Sequence, residues 1–163
     1  MAKNKEEKTN VMRVLEQKKI AYTAHTYPHE EGVAVDGVTV AKSMGFDPAI
    51  VFKTLVARGA SKQYYVFDVP VAENLDLKKA AKAVGEKSIE MIHQKELLPL
   101  TGYVHGGCSP VGMKKLFPTV IDASAENLET MIVSAGKIGY QVELAPRDLA
   151  ALVRAKFADI IVE

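Results

Sequence analysis

Two apolar, β-branched segments constrain the fold of this chain most. They span residues 50–57 and 63–69, and only a short connection that contains Gly59 separates them. Apolar segments of this length, joined by so few residues with a glycine among them, are typical of a β-hairpin. We therefore predict two adjacent strands joined by a tight turn.

The remaining chain alternates between helical and strand patterns. Helices are predicted at 5–18, where Asn4 and Glu7 form a capping box, at 38–44, at 77–84 after the cap Asp76, at 94–98 and after Pro146. Further strands are predicted at 20–27, 89–92, 102–105, 119–122, 131–134 and 140–144. The pattern predicts an α+β fold: one domain, residues 1–163, whose mixed, partly barrel-like sheet is flanked by helices.

Composition restricts the class of protein. The chain has 163 residues, 48% of them hydrophobic and 25% charged, and no apolar run approaches the roughly 20 residues that a membrane helix needs. Its first residues are charged, so we expect no signal peptide and a cytoplasmic protein. One cysteine and four histidines at unsuitable spacings predict neither a disulfide nor a metal site, and we expect no cofactor.

The net charge of +1 limits how the chain could bind nucleic acid. Tight autonomous binding depends on neutralising many phosphates with a strongly basic surface. If this chain acts on RNA, we therefore expect it to contact a short end, or a partner protein to hold the rest.

Lys53 is the most informative single residue. Strand alternation places it on the same side as Val51 and Leu55, and a lysine in an apolar row is costly to bury unless an anion or a carbonyl meets it. The alternatives are a lysine that protects an edge strand and a side chain whose ammonium reaches water. The pattern alone leaves these readings open.

A glycine-rich segment, residues 106–112, is the second candidate. Paired glycines let a ligand approach the backbone and expose amide groups to a developing negative charge, although an ordinary turn has the same composition. Cys108 lies inside this segment and His105 precedes it, so a cysteine nucleophile with a histidine base is a further hypothesis. Ser109 and Ser134 have no evident triad partners.

Seven segments in order along nearly the whole chain resemble the YbaK-type Cys-tRNA(Pro) deacylases, relatives of the editing domain of bacterial prolyl-tRNA synthetases. They are residues 25–27 (HTY), 51–55 (VFKTL), 75–79 (LDLKK), 101–103 (TGY), 106–112 (GGCSPVG), 133–137 (VSAGK) and 155–160 (AKFADI). The resemblance implies a mixed α/β, barrel-like domain that removes a wrongly attached amino acid from tRNA. The chain departs from the family pattern at Gln141, where relatives often carry an aspartate.

The resemblance also implies site residues. Lys53 and Gly106 would be catalytic, and the side chains or backbone of Tyr27, Gly107, Ser109 and Ser134 would bind the aminoacylated terminal adenosine. The thiol of the substrate's own cysteinyl group would attack the ester, with the Gly106 or Gly107 amide stabilising the developing charge.

The implied partners are the aminoacyl end of tRNA(Pro) and prolyl-tRNA synthetase in a ternary complex, since a weak RNA binder gains effective concentration from a partner that holds the tRNA. The lysines of 78–82 and 114–115 could contact RNA or only solvate the surface. A non-catalytic module that binds charged tRNA is the alternative function. The amino acid removed, cysteine or alanine, stays open.

Overall fold

The computed structural model describes residues 8–163. The α-helices of this part of the chain are α1 (Asn10–Gln17), α2 (Gly37–Ser43), α3 (Leu77–Val84), α4 (Gln94–Thr101) and α5 (Pro146–Val153). Its strands are β1 (Thr23–Thr26), β2 (Phe52–Gly59), β3 (Tyr64–Pro70), β4 (Ile89–Met91), β5 (Thr119–Asp122), β6 (Met131–Ser134), β7 (Tyr140–Leu144) and β8 (Lys156–Ala158).

The predicted first helix begins later than expected. Thr9 is its N-cap, and the Thr9 hydroxyl accepts a hydrogen bond from the Met12 amide at 3.3 Å. A capping side chain of this kind satisfies an amide that the first helical turn leaves unpaired. The expected capping residues Asn4 and Glu7 lie outside the described residues.

The strands form two sheets, and neither closes into the partly barrel-like sheet that we expected. One sheet has the antiparallel order β1-β7-β6, and the other has the order β4-β2-β3-β5-β8. The predicted hairpin is confirmed, because β2 and β3 pair antiparallel from Phe52 opposite Pro70 to Arg58 opposite Tyr64. Strand β3 pairs parallel with β5, so the larger sheet is mixed. The predicted α+β class is therefore confirmed.

The two sheets meet along β2 and β6. Val51 and Ile132 form a parallel bridge between them, and both side chains are fully buried with Ala41. Because the bridge is parallel, Lys53 and Ser134, each two residues further along, lie level with one another. Residues of both sheets that follow this bridge line the candidate site.

The main core lies between the smaller sheet, one face of β2 and β3, and helices α1 and α5. Its fully buried side chains include Leu15 of α1, Met131 of β6 and Leu149 of α5. A second cluster on the other face of the larger sheet contains Phe67 and Ile160 and is covered by α3. Each buried side chain of this size contributes about 1.5–3 kcal/mol relative to an exposed one.

Residues 102–105 do not form the predicted strand. Gly102 ends α4 in the left-handed conformation (φ 90°), and its amide donates to the Leu98 carbonyl at 2.8 Å. A glycine in this position terminates a helix, so the chain enters a turn. Strand β8, which the sequence did not predict, pairs parallel with β5. No helix in the described part of the chain is long and apolar enough to span a membrane.

Candidate active site

Residues of both sheets line a cavity of about 350 Å³. It brings together four of the residues that the sequence predicted as site residues: Tyr27, Lys53, Gly106 and Ser134. They come from the end of β1, from β2, from the glycine-rich segment and from the end of β6. Four distant parts of the chain therefore meet in one pocket, which is the usual arrangement of a ligand site.

Lys53 is half-buried in this cavity, and its ammonium has no hydrogen bond or ion pair with any described residue. Burial lowers the pKa of Lys53 from its ordinary value, while the carboxylates of Asp36 and Glu73 act in the opposite direction. A desolvated cation without a partner is costly, so an anionic or carbonyl group from a ligand would be bound here with a free-energy gain.

Gly106 faces the cavity in the left-handed conformation, with φ of 91°. A Cβ atom at this position would lie 2.7 Å from the Cβ of Ala34, so a larger residue would push the two loops apart. Within the described residues the Gly106 amide has no hydrogen-bond partner. This amide therefore has a free donor for a ligand oxygen.

Gly107 and Ser109 belong to the same segment but do not line the cavity. The Gly107 amide donates to the Val104 carbonyl at 3.0 Å, so it is already committed within the turn. Ser109 is fully buried, and its hydroxyl accepts from the Val111 amide at 3.2 Å. The Gly106 and Gly107 amides were both candidates for binding the oxyanion, and in the described structure only the Gly106 amide still has a free donor.

Tyr27 and Ser134 also line the cavity. Both are nearly buried, and the Ser134 hydroxyl accepts a hydrogen bond from the Gly136 amide at 3.1 Å. The Tyr27 amide donates to the Gly139 carbonyl at 3.0 Å, which ties β1 to the turn between β6 and β7. The Ser134 hydroxyl and the Tyr27 backbone are thereby held in place beside the pocket.

Cys108 and His105 both line the cavity, yet they do not form a nucleophile and base pair. No hydrogen bond joins them in the described structure, and His105 is exposed whereas Cys108 is buried. Burial, together with the nearby Asp68 carboxyl, raises the pKa of the Cys108 thiol to about 12. The thiol therefore stays protonated at neutral pH, and a protonated thiol is a poor nucleophile.

Three further polar residues line the cavity although the sequence did not predict them as site residues: Asp36, Thr54 and Gln141. Asp36 caps α2 by accepting from the Thr39 amide at 3.2 Å, and the Asp-Gly pair before a helix was a signal for it. Gln141 is buried, and its side-chain oxygen has no hydrogen-bond partner among the described residues. A ligand that carries a hydrogen-bond donor would satisfy this acceptor.

His25, which lies in the first motif segment, contacts other side chains of the fold rather than the cavity. His25 Nε2 lies 2.8 Å from Glu143 Oε1 across β1 and β7, and its ring contacts the edge of Phe46. Among the residues that the structure describes, no group of three or more His, Cys, Asp or Glu side chains could hold a metal ion.

The lysines considered for RNA contact lie away from the cavity, and one of them is neutralised. Lys79 Nζ donates to the Asp159 carboxylate at 3.0 Å and to the Ile161 carbonyl at 2.9 Å, and lies 3.4 Å from Glu163. These contacts anchor the C-terminal residues to α3. Lys79 is therefore less suited to bind a phosphate than an unpaired lysine would be.

The fold and the site define a class of protein. A family model described as the aminoacyl-tRNA editing domain matches residues 32–152, which include Lys53, Gly106 and Ser134. The chain belongs to the aminoacyl-tRNA editing domain family, as its motifs predicted, and it is an aminoacyl-tRNA deacylase that acts on the aminoacyl end of mischarged tRNA.

Individual relatives agree with this class. The chain is 45% identical over 161 residues, 98% of each protein, to an Enterococcus faecalis protein provisionally named Cys-tRNA(Pro)/Cys-tRNA(Cys) deacylase EbsC. A solved structure provisionally described as a trans-editing enzyme for prolyl-tRNA synthetase is 25% identical, with a TM-score of 0.79 over 94% of this chain and 95% of that one. The hypothetical protein APE2540, at 20% identity and a TM-score of 0.82 over 93% and 99% of the two chains, shares the fold.

Proposed function

We propose that this chain removes cysteine from mischarged Cys-tRNA(Pro) as a free-standing trans-editing enzyme. One observation carries the proposal: Lys53, whose ammonium has no partner among the described residues, and Gly106, whose amide has none there either, line the same cavity. The name of the 45% identical relative supports cysteine as the amino acid. The whole chain, residues 1–163, would act as one domain in the cytoplasm, where translation takes place.

The two groups have complementary roles in this proposal. Lys53 anchors the phosphate or ester region of the aminoacylated adenosine, because its cationic group lacks a protein partner. The Gly106 amide donates to the ester oxygen as negative charge develops there. Preorganised donors of this type lower the barrier of acyl transfer without any covalent contribution from the protein.

The nucleophile in this proposal is the substrate's own thiol. Its sulfur forms a bond with the ester carbonyl carbon, the bond from that carbon to the ribose oxygen breaks, and the thiol proton is transferred to the ribose oxygen. Intramolecular attack is favoured because both groups are already held together. The raised pKa of Cys108 supports this choice over a protein thiol.

Gln141 supplies an acceptor for the substrate's α-ammonium group. Its side-chain oxygen is buried in the cavity wall, next to Ser134 in the register of β6 and β7, and lacks a partner among the described residues. A donor from the substrate would remove the desolvation cost of this oxygen, which is about 1–3 kcal/mol.

Deacylation assays test the proposal directly. Purified protein is incubated with tRNA(Pro) charged with cysteine, alanine or proline, with and without prolyl-tRNA synthetase. We expect loss of the cysteinyl ester, faster with the synthetase if the ternary complex forms, and abolished by Lys53→Ala. Lys62→Ala, which removes an exposed lysine outside the cavity lining, is the matched control.

Two results would overturn it. If no ester is lost above background under any condition while charged tRNA still binds, the chain is a non-catalytic binding module. If the alanyl ester is removed and the cysteinyl ester is not, the substrate thiol has no role.

A further inference from the structure

A cluster of aromatic side chains lies beside the cavity, on the side of Tyr27. The His29 ring is 6.0 Å from the Tyr27 ring and 6.1 Å from the Tyr140 ring, in edge contacts. Lys137 Nζ lies 5.5 Å from the centre of the Tyr140 ring. We call His29, Tyr140 and Lys137 the aromatic rim.

His29 lies in a loop, yet the backbone holds its ring in place. A Cβ atom at Gly139 would lie 2.1 Å from His29 Cε1, so the ring rests directly on this glycine. His29 Nδ1 lies 3.0 Å from the Tyr27 carbonyl oxygen. The ring is thus positioned by contacts on two sides although it stays exposed to solvent.

The rim combines the two chemical features that single-stranded nucleic acid requires. The exposed ring of His29 offers a stacking surface for any base, the half-buried ring of Tyr140 lies beside it, and the neighbouring Lys137 cation attracts a phosphate. The rim also adjoins the cavity, because Tyr27 contacts His29 and lines the pocket. A nucleotide placed there would lie next to the cavity that Tyr27 and Lys53 line.

We propose that the aromatic rim binds the unpaired nucleotides that precede the terminal adenosine of the tRNA acceptor end. A base stacks on the exposed ring of His29, the half-buried Tyr140 supports that ring from the side, and a phosphate lies near Lys137. This inference rests on the proposed function for the identity of the RNA. It explains how a chain with a net charge of +1 can hold its substrate, since stacking needs no large basic surface.

A pair of substrates separates the rim from the catalytic cavity. One is full-length Cys-tRNA(Pro), and the other is 3′-cysteinyl-adenosine, which lacks every nucleotide that would reach the rim. We expect His29→Ala to raise KM for the charged tRNA roughly tenfold, the loss of one stacked base, and Tyr140→Ala to raise it by less, with kcat unchanged in both. Rates with cysteinyl-adenosine should stay at the wild-type level.

Conservative variants act as controls. His29→Phe and Tyr140→Phe keep an aromatic ring and should retain most of the affinity for the charged tRNA. Lys137→Gln should weaken the salt dependence of KM, whereas Lys87→Gln, at an exposed lysine outside the cavity lining, should not. An equal loss of activity on both substrates, or no loss on the charged tRNA, would overturn the proposal.

A binding measurement keeps the proposal testable if the enzyme has a different substrate. The trinucleotide CCA and adenosine alone are titrated into the wild-type protein and followed by NMR. We expect CCA, and not adenosine, to shift the signals of His29 and Tyr140. An absence of such shifts at saturating CCA would refute the rim, whereas a wild-type enzyme inactive on both esters would refute the proposed function.

Discussion

Asp68 shows how much a single residue depends on its surroundings. Its carboxyl is fully buried on β3, accepts a hydrogen bond from the Thr54 hydroxyl at 2.5 Å, and leaves its second oxygen without a partner in the described structure. Burial raises the pKa of Asp68 to about 7 from an ordinary value of 3.8. The protein therefore keeps this carboxyl protonated well above the pH at which an exposed aspartate ionises.

This pKa predicts a pH-dependent stability. Between roughly pH 4 and pH 7 the unfolded carboxyl is ionised and the folded one is protonated, so the free energy of unfolding falls as the pH rises. The full pKa difference corresponds to about 4 kcal/mol. Asp68→Asn should raise the free energy of unfolding at pH 8 by about 1–3 kcal/mol and flatten its dependence on pH, as measured by urea unfolding.

Asp122 is the matched control for this experiment. It is as buried as Asp68, but its carboxylate accepts hydrogen bonds from the Ser124 and Ile160 amides, each at 3.1 Å. Asp122→Asn should therefore destabilise the protein by about 1–2 kcal/mol at the same pH. If both variants change stability in the same direction, the explanation from hydrogen bonding is wrong.

Cys108 gives a second prediction at this scale. Because its thiol is protonated and its pKa is about 12, Cys108→Ala should leave the rate of deacylation within about twofold of wild type. The measurement is the initial rate with Cys-tRNA(Pro) at pH 7.5. A loss comparable to that of Lys53→Ala would instead restore the protein thiol as the nucleophile.

At the scale of elements, helix α2 connects helix capping with the electrostatics of the site. Asp36 caps this helix and lines the cavity. Its carboxylate also opposes the lowering of the Lys53 pKa by burial. The cap needs a side-chain acceptor, which asparagine also provides, whereas the effect on Lys53 needs the negative charge. The two roles can therefore be separated by substitution.

Asp36→Asn should keep the helix cap and lower the pKa of Lys53 further. If deacylation requires the protonated ammonium, the alkaline limb of the pH–rate profile then moves to lower pH, with stability changed by less than about 0.5 kcal/mol. Asp36→Ala should show the same displacement and also lose about 1 kcal/mol of stability from the missing cap. If the alkaline limb stays in place in both variants, the charge of Asp36 does not influence the pKa of Lys53.

At the scale of the whole molecule, the position of the cavity depends on the junction between the two sheets. The buried bridge from Val51 to Ile132 fixes β2 beside β6, and the site residues Lys53 and Ser134 follow directly after it. A change in packing at this junction should therefore affect activity as well as stability.

Ile132→Ala tests this dependence against Ile160→Ala, since both isoleucines are fully buried. Each substitution should lower the free energy of unfolding by about 2–5 kcal/mol. Under conditions where both variants are folded, only Ile132→Ala should reduce kcat/KM for Cys-tRNA(Pro), because Ile160 packs in the cluster beneath α3. Equal activity of the two variants would show that the junction does not position the site.

Local patterns predicted most helices and strands, because periodicity and turn glycines act over a few neighbouring residues. The hairpin of β2 and β3 is an example, and so is α3, which Asp76 caps and Gly85 ends. The segment 102–105 failed because the left-handed Gly102 ends α4 and turns the chain. Strand β8 was missed because three residues with little alternation become a strand only beside β5.

The candidate site divides in the same way. The sequence by itself determined which residues could be chemically useful, since a lysine in an apolar row and a glycine-rich segment are visible in the chain. Only the tertiary structure decided that Lys53, Gly106, Tyr27 and Ser134 share a cavity, that the Gly107 amide is already occupied, and that Gln141 lacks a partner. The reason is physical: burial and hydrogen-bond partners arise from contacts between residues far apart in the chain, and no local pattern specifies them.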